Sequence, residues 1–173
     1  MAQTRMASPT APIQPFFAIP TPKLLVMVLA TGVYGTYWFY ASWKHIGRAE
    51  GRPMYPLGKT IMTTVAIYHL TARIADARGT AGGKRAVLCI LAPTLFLILT
   101  YLGVLPGVGG LTGLVAVIPL AYIQIEAASA NSVLAGAPYT RPTYSRYDVL
   151  ALLIFAPMNA LAWAAAFGLL PDA

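Results

Sequence analysis

Side chains capable of acid–base or metal-ligand chemistry are few in this sequence and lie far apart. The 173 residues include five carboxylates, two histidines and one cysteine. The imidazoles of His45 and His69 are of the kind that binds haem, chlorophyll or zinc, but no cysteine, histidine or aspartate cluster has metal-ligand spacing. The chain also lacks a G-x-S-x-G, H-E-x-x-H or phosphate-loop motif. We therefore expect no metal site, no catalytic residues and no cofactor of its own.

Glu126 is the one acid near the interior of an apolar segment. An ionised carboxylate is costly in hydrocarbon, so such an acid is a functional candidate. A rise of ~1.5 Å per residue places it ~22 Å from Leu111, close to the inner headgroups, where it can hydrate or form an ion pair. With Gln124 it also suggests an alternative function, the polar mouth of a small oligomeric transporter or channel. The basic residues expected to pair with it are Arg73, Arg78 and Lys84.

The elements that position these residues follow from runs of sequence without charge. Forty consecutive residues, 86–125, carry none. About 20 residues cross the ~30 Å hydrocarbon core, so this run predicts two spans joined at 106–110. The uncharged runs are too long and too continuously apolar for barrel strands, so we predict an all-α integral membrane fold with four transmembrane helices. The predicted spans are 24–43, 86–105, 111–130 and 149–170.

The composition agrees with a membrane protein. Hydrophobic residues make up 58% of the chain, charged residues 10%, and the mean hydropathy is +0.67. Soluble domains carry about 25% charged residues. The length predicts one domain, over 23–173. Residues 1–22 contain five prolines and are predicted to be an extramembrane tail, with Phe16 and Phe17 as an interfacial anchor.

One segment does not fit the count of spans. Residues 60–72 are uncharged but too few to cross a bilayer. Their apolar side chains recur at helical spacing. We predict a short amphipathic helix over 57–77, lying in the inner interface or re-entering the membrane under cover of the bundle. The residues expected on its apolar face are Ile61, Val65, Tyr68 and Ala72, and those on another face are Thr63, His69 and Arg73.

The basic residues predict the orientation. Ten of the 12 lysines and arginines lie between the first and second or the third and fourth predicted spans. Positive residues stay in the cytoplasm, which predicts a bacterial inner-membrane protein with both termini in the periplasm. Only Arg5 and Lys23 would lie outside. The net charge of +7 favours contact with anionic lipid. Because the basic residues flank spans and form no separate domain, we expect no nucleic-acid partner.

Three stretches of sequence resemble a known family. Residues 37–44 read Y-W-F-Y-A-S-W-K, residues 68–74 read Y-H-L-T-A-R-I, and Pro119 is followed by Gln124 and Asn131. In this order they resemble a family of small bacterial multipass membrane proteins of unknown function. The chain departs from the family pattern at Ile125 and Ala128, where a basic residue and an asparagine are usual. The resemblance implies a multipass helical fold and no particular activity.

Two groups of residues are candidates for contact with partners. Aromatic side chains at a span end often form a belt at the membrane interface. Alternatively, they contact a pigment, a quinone or a partner subunit. Small residues four apart allow close helix packing. We predict a non-catalytic accessory or scaffold subunit of a larger inner-membrane complex, photosynthetic or respiratory, in contact with lipid and other membrane subunits. The aromatic candidates are Tyr37, Trp38, Tyr40 and Trp43, and the small ones are Ala160, Ala164 and Gly168.

Overall fold

Helices account for every regular element that the structure, a computed structural model, describes. It describes residues 15–52, 55–103, 105, 112, 114–136 and 146–166. The predicted all-α class is thus confirmed for these residues. The helices are α1 (Thr21–Thr31), α2 (Tyr34–Glu50), α3 (Pro56–Ile61), α4 (Thr63–Arg78), α5 (Gly82–Leu102, with a π-helical turn at Val87–Leu91), α6 (Val117–Ala135) and α7 (Arg146–Ala166).

Three of these helices are long and apolar enough to cross a membrane. They are α5, α6 and residues Asp148–Ala165 of α7. They correspond to the predicted spans 86–105, 111–130 and 149–170, although α6 extends further along the chain than predicted. Four transmembrane helices are not found among the described residues. The predicted span 24–43 is divided between α1 and α2, because α1 ends at Gly32, which adopts the left-handed conformation with φ 67°.

α1 and α2 form a hairpin instead of one continuous helix. Phe17 precedes α1, yet its ring lies 5.4 Å from that of His45, near the end of α2. It also contacts Tyr37 with 6.0 Å between ring centroids. At ~1.5 Å per residue, collinear helices would separate Phe17 and His45 by far more than this. α2 therefore runs back beside α1, and both ends of the region 15–50 lie at the same end of the molecule.

Residues 15–20, called here the N-terminal segment, belong to the packed structure. Phe16, Ala18 and Ile19 are buried in the core between α2 and α6. Residues 15–20 of the predicted tail therefore pack against the helices, and residues 21–22 begin α1; the extramembrane position of the tail stays a prediction, and residues 1–14 lie outside the described part of the chain. The segment is extended, so its backbone groups have no helical partners and must find others.

α4 packs lengthwise against two other helices. One side of it is buried against α5 and α6, with Ala66, Ile67, Leu70 and Ile74 in the core. α4 runs antiparallel to α5, a candidate span, over most of its length. This arrangement favours the second of the two predictions for 57–77, a helix covered by the bundle. The pairs along α4 are Thr64 with Tyr101, Tyr68 with Thr94, and Asp76 with Arg85.

Replacement of Gly32 tests the hairpin turn. A left-handed conformation costs a residue with a side chain about 1–2 kcal/mol. In addition, a Cβ at Gly32 would lie 2.9 Å from Oδ1 of Asn159, whose Nδ2 donates to the Leu29 carbonyl at 2.7 Å. We expect Gly32→Ala to lower the unfolding midpoint in detergent.

Gly79→Ala is the matched control for this substitution. Gly79 has the same φ of 67°, but a Cβ there would meet nothing within 4 Å. The control therefore has the backbone strain without the contact. We expect the midpoint of Gly32→Ala to fall clearly below that of Gly79→Ala. Equal midpoints would mean that the turn does not depend on its fit against α7.

Candidate functional site

Gln124 joins three parts of the chain inside the core. Its Oε1 accepts a hydrogen bond from the Trp38 indole Nε1 at 2.5 Å, and its Nε2 donates to the Ile19 carbonyl at 2.6 Å. Gln124 and Trp38 are both fully buried. A buried polar group costs free energy unless it is paired. Gln124 thus ties α2 and the N-terminal segment to α6.

Asn131 makes the corresponding contact two helical turns further along α6. Its Oδ1 accepts from the Phe16 backbone N–H at 3.1 Å, and its Nδ2 donates to the Phe16 carbonyl at 2.8 Å. The amide side chain therefore pairs with the extended backbone as a neighbouring β-strand would. Residues seven apart lie on the same helix face, so Gln124 and Asn131 act together. We call these two residues the amide clamp.

A buried ion pair connects the start of α1 to α7. Lys23 Nζ lies 2.6 Å from Asp148 Oδ2, and both side chains are more than nine-tenths buried. The Tyr34 hydroxyl donates to Asp148 Oδ1 at 3.3 Å. Removing one partner of a buried pair costs about 3–5 kcal/mol, because the other charge is left uncompensated. The pair therefore fixes α7 beside the α1–α2 hairpin.

The predicted acid Glu126 lies in the middle of α6 and not at a span end. It forms an ion pair with Arg78, one of its three predicted partners. Arg73, another of them, pairs with Glu50 at the end of α2. α6 continues to Ala135, so Glu126 lies well inside the helix, and its position near the inner headgroups stays a prediction. The negative charge of Glu126 is balanced by Arg78, the last residue of α4.

The aromatic candidates divide between the core and the surface. Trp38 and Trp43 are fully buried, whereas Tyr37 is half exposed. The two buried indoles therefore pack against protein and do not form a lipid-facing belt as predicted. The ring of Tyr40 lies 5.6 Å from Lys44 Nζ, and that of Trp43 lies 5.0 Å from Lys59 Nζ.

α7 is the most exposed of the candidate spans. Only 6% of its 18-residue apolar window is buried, against 44% for α6. α7 packs mainly against α1. Of the predicted small-residue stripe, Ala160 is exposed and Ala164 is half-buried, while Gly168 lies outside the described residues. Ala160 is thus open to contact within the described part of this chain, although Ala164 on the same stripe is partly covered.

A cavity of about 410 Å³ lies where the closed end of the hairpin meets α5 and α6. Its walls are mainly apolar and include Gly35, Phe39, Phe96 and Leu120, with Thr100 as a source of a hydroxyl group. A cavity of this composition accepts hydrocarbon better than a charged substrate. In the described ranges, no three histidine, cysteine, aspartate or glutamate residues lie close enough together to hold a metal ion.

Comparisons with known proteins do not place the chain in a family. It matches no family model, no curated protein and no solved structure. The resemblance to small bacterial multipass proteins therefore stays a prediction based on the sequence motifs. What the chain does has to be inferred from its own residues.

Substitution of Asn131 tests the amide clamp. Asn131→Leu leaves the N–H and carbonyl of Phe16 buried without partners, at a cost of about 1–3 kcal/mol. Since 1.4 kcal/mol corresponds to a factor of ten, amide hydrogen exchange at Phe16 should accelerate by about 5- to 150-fold. Val133→Ala is the control, because Val133 is exposed on the same helix. Unchanged exchange at Phe16 in Asn131→Leu would refute the clamp.

Proposed function

We propose that this chain is a non-catalytic accessory subunit of a larger bacterial inner-membrane complex of the energy-transducing type, photosynthetic or respiratory. The proposal rests first on how the polar residues are used. Gln124 and Asn131 are hydrogen-bonded to the chain itself, and Glu126 is paired with Arg78. Residues engaged in this way support a structural role better than the alternative, a transporter with a polar mouth at Gln124 and Glu126.

The observation that carries the proposal is the exposure of α7. A helix with 6% of its window buried leaves most of its surface open to its surroundings. Its inner side is held by polar contacts, the Lys23–Asp148 pair and the Asn159–Leu29 hydrogen bond. Small side chains on the outer side permit close approach of another helix. We infer that a helix of a neighbouring subunit packs on the face that carries Ala160.

The hairpin also changes the proposed threading of the chain. The N-terminal segment and the end of α2 lie at one end of the molecule, together with the basic residues Lys44 and Arg48. By the positive-inside rule this end is cytoplasmic. From there the chain crosses the membrane three times, in α5, α6 and α7, so the end of α7 lies in the periplasm. We therefore propose a cytoplasmic N-terminal segment in place of the periplasmic one predicted from four spans, and we keep the C-terminal end outside.

Cysteine labelling tests this threading. In a Cys89→Ser background, single cysteines at Ala2, Gly82 and Ala173 are exposed to a membrane-impermeant maleimide in intact spheroplasts and in inverted vesicles. We expect Ala173→Cys to react from outside, and Ala2→Cys and Gly82→Cys only from the cytoplasmic side. Reaction of Ala2→Cys from outside would restore the four-span arrangement.

A bulky side chain on α7 tests the proposed partner contact. Ala160→Phe should prevent close helix approach, so the tagged chain should accumulate in the membrane but lose its co-purifying subunits in mild detergent. Ala162→Phe is the control, because Ala162 is also exposed on α7 but two positions away and thus on a different face. Equal recovery of integral membrane partners with both variants would contradict the accessory-subunit proposal, as would a wild-type chain that purifies alone.

A further inference from the structure

A groove runs along one side of the bent helix pair α3 and α4. The bend lies at Met62, whose ψ of 35° departs from helical geometry. The groove has a volume of about 420 Å³, and its lining residues recur at helical spacing on both sides of the bend. The residues that line it are Tyr55, Gly58, Lys59, Met62, Val65, Ala66 and His69.

The groove combines an apolar floor with polar groups at its edges. Met62 and Val65 are large apolar side chains that are more than half exposed. Lys59 and His69 are also exposed, and each can donate hydrogen bonds. The Lys59 ammonium lies 5.0 Å from the ring centroid of the buried Trp43. This cation–π contact holds the positive charge at the edge of the groove.

Gly58 keeps the groove open. A Cβ added at this position would meet only Tyr55 Cβ, at 4.0 Å, so space for a side chain exists and is not used. Exposed apolar side chains continue from the groove over the outer face of α3, among them Leu57 and Ile61. A hydrocarbon chain that leaves the groove would therefore stay on apolar surface.

We propose that this groove binds one anionic membrane phospholipid, with the headgroup phosphate at Lys59 and an acyl chain along Met62 and Val65. The charge of Lys59 and the net charge of +7 complement a phosphate, and the apolar floor complements hydrocarbon. Lysine binds phosphate as a point charge through its three donors. The site requires only that the chain lies in a bilayer, so it does not depend on the proposed role as a subunit.

Native mass spectrometry of the detergent-purified chain tests the site. Phosphatidylglycerol and phosphatidylcholine with identical acyl chains are added at equal concentration. We expect one phosphatidylglycerol to be retained in preference. Lys59→Gln should weaken its retention by about tenfold, the loss of one charge-assisted hydrogen bond. Gly58→Leu should weaken it by obstructing the groove, while favouring the helical state of α3.

Lys44→Gln is the matched control. Lys44 is another exposed lysine over an aromatic ring of α2, that of Tyr40, but it does not line the groove. The Lys44→Gln substitution should therefore leave the retention of phosphatidylglycerol unchanged. Four results would overturn the proposal: equal retention of both lipids, equal losses in Lys44→Gln and Lys59→Gln, full retention in Gly58→Leu, or displacement of the lipid by soluble glycerol phosphate. The last would mean that the acyl chain plays no part in binding.

Discussion

The need to pair backbone groups away from water governs this structure. An extended segment in the core of a membrane protein has neither helical partners nor solvent for its N–H and carbonyl groups, and each unpaired group costs several kcal/mol. The side chains of Gln124 and Asn131 supply those partners at Ile19 and Phe16. The extended segment can therefore lie in the core, and the α1–α2 hairpin that follows it depends on the same contacts. α6, which carries both amides, also packs against α1, α4 and α5.

The sequence predicts the three long apolar helices well but does not reveal the turn within the run 24–43, for one physical reason. Hydropathy reports which residues avoid water but not the direction in which the chain runs. The uncharged runs therefore predicted α5, α6 and α7. The run 24–43 is also uncharged, but Gly32 turns the chain back within it. A single glycine hardly alters mean hydropathy, so a hairpin and a span look alike in the sequence. The spacing of apolar residues in α4 is ambiguous in a similar way, because it reveals an apolar face without showing whether lipid or protein covers that face.

The candidate residues were recognised by type, but their partners were not. Glu126 was expected to pair with a basic residue, and the choice among three required the packing of α4 against α6. Trp38 was identified within the aromatic block, whereas its hydrogen bond to Gln124 joins residues 86 positions apart. Apart from the family resemblance, Gln124 and Asn131 have one signal in the sequence, their spacing of seven residues at the end of the predicted span 111–130. Spacing shows that they share a face, but it cannot show that an extended segment from the start of the chain lies on it.

The amide clamp has a consequence for biosynthesis. Phe16 and Asn131 are 115 positions apart, so the ribosome delivers the extended segment long before its partners exist. At about 5–20 residues per second, the delay is on the order of ten seconds. During this interval the insertion machinery or the aqueous side must shelter the exposed amides of Phe16 and Ile19. The segment can therefore take its place in the core only late in maturation, after α6 has been synthesised and has folded.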